Sequence, residues 1–363
     1  MRFIHTGDWH IGKSTAPQRY GSDFSKRRKS ELLKTAEAVV AFANENKVDL
    51  ILCAGDLFHS EDVRIDEIRN LNAILSRLDG PRFVVTPGNH DPLMDGGVYS
   101  RIEWCPQVTI APAGISKIEF PELKTTIHTF GWTEKEMASS MEDRWHPQKE
   151  SEYDILMVHG DAVSAQSHYL PLSAQWLRSL PMDYVALGHI HQASALENHI
   201  RYCGSIEPQD ISETGDHGFW LCDLTPEGCT VKKIVCAQRA CYEAEVELNP
   251  QSAPWQIRTA IHRMAEEKGL QNLYDVTLVG YSSSEHRLNL EQIRQDLQND
   301  GILCQIRDNT RPDYDLESMA EENKGNLLGE YIRLFQGREL SPTEEEALRA
   351  GVEALMDEKR SRS

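Results

Sequence analysis

The spacing of hydrophobic positions changes along the chain, and the changes predict its elements. "RFIH", "VDLILCAGD" and "RFVVTPGNHD" each contain an apolar run ended by turn-forming or polar residues. The longer runs suit strands covered on both faces. Between them, Leu32, Leu33, Ala36, Val39, Val40 and Ala43 recur at helical spacing, which predicts a helix over about 25–46. Ile65, Ile68, Leu71, Leu75 and Leu78 predict a second over about 63–78. This βαβαβ order implies an α/β fold with a largely parallel sheet. "DILMVHGD", "DYVALGHIH" and "GFWLCDL" read as further strands, the last closing the sheet.

Near Cys241 the pattern resets. "YEAEVEL" reads as a strand, a helix follows over about 255–268, and Tyr274, Val276 and Leu278 alternate along another strand. Leu290, Ile293 and Leu297 mark a helix, and Ile302, Cys304 and Ile306 a strand. The remainder is acidic and helical. Leu327, Leu328, Tyr331, Ile332 and Phe335 form an apolar stripe, and Ser341, Pro342 and Glu344 make a capping box. A chain of 363 residues exceeds one ordinary core. The expected division is an α/β domain over 1–240, a small α/β domain over 241–310 and a helical segment over 311–363.

Composition narrows the class. No apolar run reaches the length of a membrane span, and the start has no signal-peptide pattern, so a cytoplasmic protein with no membrane association is expected. None of the eight cysteines forms a CxxC pair, which argues for free, mostly buried thiols over a zinc ribbon or disulfide framework. The net charge is −19, and the last third is the more acidic per residue. That weighs against stand-alone nucleic-acid binding, which draws its affinity from Lys and Arg.

Chemistry collects at the C-terminal ends of the expected strands, where ligands bind in open α/β sheets. Asp8 and His10 follow the first strand, Asp56 and His59 the second, and Asn89, His90 and Asp91 the third. His159 follows "DILMV", and His189 and His191 follow "DYVAL". Alternate residues of an extended segment project to one side, which would bring His189 and His191 together. Singly, each group reads as a turn, a polar strand end or a satisfied histidine. Together they supply oxygen and imidazole donors for two metal ions without thiolate, a set that favours manganese, iron or zinc held outside a cysteine site. Two ions about 3.5–4 Å apart can activate water for in-line phosphoryl displacement.

"GDWH", "GDLF", "GNHD", "HGD" and "GHIH" resemble, in order, the five signature segments of the calcineurin-like metallophosphoesterases, over nearly all of residues 1–220. The resemblance implies a sandwich of mixed sheets flanked by helices. It also implies one metal on Asp8, His10, Asp56 and His191, and a second on Asp56, Asn89, His159 and His189. His90 would contact the scissile phosphate and assist the leaving group, with His59 near it and Asp91 orienting it. Within the superfamily, "HTGDWHIG", "AGDLFHS" and "YCGSIEPQDISETGDHGFW" resemble the SbcD-type DNA repair exonucleases, including the YhaO-like branch. That implies a manganese-dependent DNA exonuclease, able also to nick single strands, with 241–310 as its DNA-facing cap. An SbcC-like coiled-coil ATPase would be its partner, and helices of the nuclease domain could pair two copies. Gly7 stands where Ser or Thr is commoner, Val63 near a frequent Pro, and Pro208 at a frequent Arg. None of these changes removes a ligand, but Pro208 puts a phosphate contact in doubt.

The acidity must still be reconciled with DNA. Lys13, Arg19, Lys26, Arg27, Arg28 and Lys29 form a basic run that reads either as a solvated helix face or as a backbone-tracking patch beside the metals. Two other functions stay open: a small-molecule or cyclic-nucleotide phosphodiesterase or phosphatase of the same superfamily, and a metal-bound, non-catalytic scaffold for a partner.

Overall fold

The computed structural model describes residues 1–14, 22–283 and 288–361. They divide into two compact units. One comprises Met1–Glu243 with Lys268–Asp275 and Gly301–Leu303. The other takes in Ala244–Glu267, Val276–Asp300 and the residues from Cys304 onward.

In the first unit, β1 (Arg2–Thr6), β2 (Leu50–Cys53), β3 (Arg82–Val85) and β4 (Val108–Ile110) run parallel in that order. The helices α1 (Ser22–Glu45) and α2 (Ile65–Leu75) connect the first three strands. A second sheet holds β5 (Gly114–Phe120), β6 (Thr125–Gly131), β7 (Tyr153–His159), β8 (Tyr184–Gly188), β9 (Ser194–Glu197) and β10 (Ile200–Tyr202), ordered β5-β6-β7-β8-β10-β9. The short helix α3 (Ala174–Ser179) links β7 to β8. The chain then returns to the first sheet, where β11 (Gly218–Thr225) pairs antiparallel with β1, and β12 (Gly228–Val235) with β11. β11 is therefore internal and β12 is the edge, which corrects the expectation that "GFWLCDL" closes the sheet.

Side-chain alternation explains why these strands read as continuous apolar runs. Phe3, Leu50, Leu52 and Val84 point from the first sheet towards Ile127, Ile155, Met157, Tyr184 and Ala186 of the second. Their neighbours Ile4, Ile51, Cys53, Phe83 and Val85 point the other way, onto Ala36, Val39 and Val40 of α1 and Ile68, Leu71 and Leu75 of α2. Leu156, Val158, Val185 and Leu187 cover the outer face of the second sheet with Trp145, Trp176 and Leu177. The result is helices, sheet, sheet and helix in layers, with both faces of the central strands buried. The apolar side of α2 is used by its own sheet, leaving Ile65 exposed among its large hydrophobics.

The remaining sheet orders β13 (Cys241–Leu248), β14 (Leu273–Ser283) and β15 (Leu303–Asp308), with β16 (Arg311–Asp313) parallel to β14. Its helices are α4 (Pro254–Lys268) and α5 (Leu290–Asn299). Farther along, α6 (Leu316–Glu322), α7 (Leu327–Arg333) and α8 (Pro342–Ser361) pack Ala320, Leu328, Ile332, Leu348 and Val352 together. Much of the apolar stripe is thereby consumed, but Leu327 stays 69% exposed, as does Leu334 outside the stripe at 73%. The capping box forms: the Ser341 N–H donates to Glu344 Oε2 at 2.9 Å, and the Glu344 N–H to Ser341 Oγ at 3.4 Å. No described helix is long and apolar enough to cross a membrane. The eight cysteines are free.

Candidate metal centre

The site lies where the loops after β1, β2, β3, β7 and β8 meet, so its residues come from both sheets. Backbone bonds tie the loops directly. The Asp8 N–H donates to Gly55 O at 3.0 Å, that of His10 to Asp56 O at 2.9 Å, and that of Ile11 to Leu57 O at 3.0 Å. These bonds hold Asp8, His10 and Asp56 at φ near +50°, and His189 is at +102°. Left-handed backbone at non-glycine residues costs about 1–3 kcal/mol each and collects at functional sites. Gly88 permits the closest approach, since a Cβ there would come within 2.3 Å of Asp56 Oδ1.

Asp56 is the hub. Its Oδ2 lies 3.7 Å from His10 Nε2 and 3.4 Å from His159 Nε2, and its Oδ1 accepts the His90 N–H at 2.8 Å. On one side, His10 Nε2 and His191 Nε2 face each other at 3.1 Å, and Asp8 Oδ1 is 3.9 Å from His191 Nε2. On the other, Asn89 Oδ1 is 2.8 Å from His159 Nε2, and the His189 ring stands 5.3 Å from the His159 ring. Asp8, His10 and His191 bring one ligand atom each to within 4.8 Å of one another, as do Asp8, Asp56 and His159. His189 and His191 lie beyond the end of β8, in a bend. Their placement comes from that bend and not from strand alternation. The His189 N–H donates to both oxygens of Asp8, at 3.2 and 3.1 Å.

These contacts fit a cation. His159 Nδ1 is 3.0 Å from Ala54 O, and a carbonyl can only accept, so Nδ1 carries the proton. In the neutral ring, the Nε2 lone pair then faces the oxygens of Asp56 and Asn89, an arrangement of acceptors that a positive charge must resolve. Likewise His191 Nδ1 is 2.7 Å from Glu213 Oε1, which leaves Nε2 bare towards His10 and Asp8. His10 Nδ1 is buried and has no partner.

The buried groups also shift one another's titration. Burial pushes the Asp8 carboxyl up to about 6. Burial also works to raise Asp56, but His159 and His10 beside it hold it well below the usual carboxylate range. Burial opposes protonation of His159, yet Asp56 and Asp8 raise it to about 9. Burial, with His159 adjacent, lowers His189 to about 4. The neighbouring Cys203 thiol donates to Asp8 Oδ2 at 3.6 Å. Burial keeps it protonated, so the donor set remains oxygen and imidazole.

His90 stands at the rim. Its ring stacks on His59, with centroids 4.7 Å apart and planes at 26°, and lies edge-on to His10 at 5.0 Å. His59 Nδ1 is buried without a partner. Asp91 does not orient the His90 ring, contrary to the expectation from sequence. Its Oδ1 accepts the Gly88 N–H at 2.7 Å, and its Oδ2 accepts the Phe58 N–H at 3.0 Å and the Tyr99 hydroxyl at 2.6 Å. The side chain points back under the turn, where it fastens the loop after β3 to the loop after β2. Tyr99→Phe should cost about 1–2 kcal/mol, read as a lower chemical-denaturation midpoint; an unchanged midpoint would remove Tyr99 from this anchor.

The basic run is mostly spent elsewhere. Arg28 is 2% exposed and its guanidinium bonds Glu31, Glu207 and Pro208 O, so it is a core residue and not a DNA contact. Lys29 donates to Asp62 O and lies 3.5 Å from Glu67. Lys26 is exposed and lies 3.6 Å from Asp23; Arg27 is exposed. Arg19 lies outside the described residues. Lys13 is half-buried beside the centre, and burial lowers its amine despite the charges of Glu213, Asp210, Asp56 and Asp62. Sequence reasoning passed over Glu213 and Tyr99, because a carboxylate in a polar loop and a tyrosine eight residues past Asp91 carry no spacing signal.

A family model described as calcineurin-like phosphoesterase matches residues 1–193. Among curated relatives, the uncharacterized metallophosphoesterase YhaO of Bacillus subtilis is 30% identical over 241 residues, covering 62% of this chain and 58% of that one. The DNA double-strand break repair protein Mre11 of Haloferax volcanii is 25% identical over 256 residues, covering 68% and 55%. The SbcD component of the SbcCD nuclease of Escherichia coli K12 is 25% identical over 261 residues, covering 59% and 62%. The chain thus spans less than two thirds of the length of each. The layered sheets, the five loops that converge on Asp56 and the match over residues 1–193 agree: the chain belongs to the calcineurin-like phosphoesterase family, whose members are hydrolases that bind divalent metals.

Proposed function

We propose that the chain is a manganese-dependent DNA phosphodiesterase, an SbcD-like exonuclease that also nicks single strands and acts in DNA repair in the cytoplasm. The observation that carries the reading is the position of Asp56 between two sets of acceptors, one with Asp8, His10 and His191 and the other with Asn89, His159 and His189. Each set would hold one divalent ion, with Asp56 shared. Oxygen and imidazole donors without thiolate suit manganese. When bound, the ions supply an activated water and offset the charge of the phosphoryl group in flight. His90, at the rim and outside both sets, would donate to the departing oxygen, and His59 braces its ring by stacking. Lys13 would meet a substrate phosphate.

The relatives named for DNA double-strand break repair and as part of a nuclease support DNA as the substrate. The net charge of −19 and the loss of Arg28 to the core support a partner that supplies positive surface. An SbcC-like ATPase fits that need, with Leu327 and Leu334 as docking contacts, residues 241–310 as the DNA-facing cap and a homodimer as the assembled form. The same net acidity favours a second reading, a phosphodiesterase of small molecules.

The decisive assay adds manganese to labelled duplex and single-stranded DNA and to bis-p-nitrophenyl phosphate, with and without an SbcC-like ATPase. DNA cleavage upholds the first reading; diester cleavage without DNA cleavage in either condition upholds the second. His90→Gln should lower kcat about 100- to 10,000-fold while metal content stays at two ions. Full activity in that variant would take the leaving-group role from His90.

A further inference from the structure

We propose that Glu213 is a positioning residue that sets the affinity of one of the two ions, the one on the Asp8–His10–His191 side, by fixing the tautomer and direction of His191. The inference rests on the metal-centre reading above and extends it to a residue outside the ligand set.

Glu213 is held at three points. Its Oε1 is 2.7 Å from His191 Nδ1, and its Oε2 accepts the Gln209 N–H at 2.8 Å. Its backbone carbonyl is 3.1 Å from His217 Nε2. His217 Nδ1 lies 2.9 Å from the Ser205 hydroxyl and 3.3 Å from the Ser205 carbonyl, so the imidazole bridges the two segments. The Ser205 N–H closes the ring by donating to His191 O at 3.0 Å. Ser205, Gln209 and His217 are buried, so this closed circuit presents Glu213 to His191 from a fixed frame.

The consequence is specific to one side of the centre. A carboxylate accepting from Nδ1 forces the proton onto that atom and leaves the Nε2 lone pair facing His10 and Asp8. It also makes the imidazole a stronger donor. On the other side the hydrogen-bond partner of His159 Nδ1 is the neutral carbonyl of Ala54 at 3.0 Å, with Asp8 Oδ1 farther off at 4.0 Å. His10 Nδ1 meets nothing. The two ions should therefore respond unequally to loss of Glu213.

The test uses the whole chain and manganese as the probe, with calorimetric titration and the electron paramagnetic resonance spectrum as readouts. Wild type should bind two ions and show the spectrum of a spin-coupled pair. Glu213→Ala should weaken one ion about 10- to 100-fold, leaving a mononuclear spectrum at one equivalent and the other affinity unchanged. Glu213→Gln keeps one oxygen acceptor for Nδ1 but sets an NH2 against the Gln209 N–H, and should restore part of the pair signal. Two wild-type affinities in Glu213→Ala would overturn the inference. So would equal weakening of both ions in Glu213→Gln, which would mean a general charge or folding effect. If wild type itself binds no pair, the metal-centre reading fails with it, before either variant is compared.

Discussion

Asp56→Ala should leave a folded protein that retains no tightly bound metal pair and hydrolyses bis-p-nitrophenyl phosphate at the background rate. Asp56 approaches both His10 and His159, at 3.7 and 3.4 Å, so its loss reaches both halves of the centre. Removing a partner one layer behind a metal ligand typically costs 10–100-fold in affinity. Removing a shared ligand should exceed that, by more than about 100-fold for each ion. His159 would also lose the charge that raises it to about 9, and the His90 N–H would lose its acceptor at 2.8 Å. Metal content after dialysis, measured beside the thermal transition, separates loss of the centre from loss of the fold. Retention of two ions in Asp56→Ala would show that Asp56 is not the shared ligand.

The inventory of this centre was legible in the sequence, but its geometry was not. The inventory could be read because a buried strand announces itself as an apolar run and its first polar residue marks the end. Asp8, Asp56, Asn89, His159 and His189 all stand at such ends. What could not be read is that the ends belong to two sheets. A parallel strand covered on both faces looks alike in either, and the run over 114–131 lacks a strong apolar pattern because β5 alternates exposed residues. The backbone strain was invisible as well. Asp and His adopt positive φ more readily than most residues, but bonds from other loops decide that Asp8, His10, Asp56 and His189 do so.

Asp91 shows how a motif can mislead. The family resemblance implies that it orients the His90 ring, yet in a tight turn successive side chains diverge. Its carboxylate takes two backbone N–H groups and the Tyr99 hydroxyl, a fate set by where Phe58 and Tyr99 lie in three dimensions. Arg28 misled in the opposite way. Seven basic residues in the stretch 13–34 suggest a surface. Helical periodicity still turns one of every few side chains inward, and Arg28 shares the buried side of α1 with Leu32 and Thr35.

That inward turn has a large expected cost when disturbed. Glu207 is fully buried: its Oε2 meets Arg28 Nη1 at 3.0 Å, and its Oε1 accepts the Thr35 hydroxyl at 2.6 Å and the Gln238 N–H at 2.5 Å. Glu31 takes a bond from Arg28 and two from Arg239, so two guanidiniums and two carboxylates link α1 to the segment that follows Ile206. Glu207→Ala leaves Arg28 short of a counter-charge and strands a hydroxyl and a backbone N–H. Breaking a buried pair from one side costs about 3–5 kcal/mol. For a unit of this size that corresponds to roughly 6–20 °C in the thermal midpoint. Replacing both partners, as Arg28→Met with Glu207→Leu, should recover part of the loss, because an apolar pair of similar volume spares the desolvation of both charges. A double variant less stable than Glu207→Ala would mean that Arg28 contributes chiefly through Glu31 and Pro208 O. Any loss of DNA cleavage in an Arg28 variant must therefore be read against its melting curve, since this guanidinium acts on the fold before it can act on a substrate.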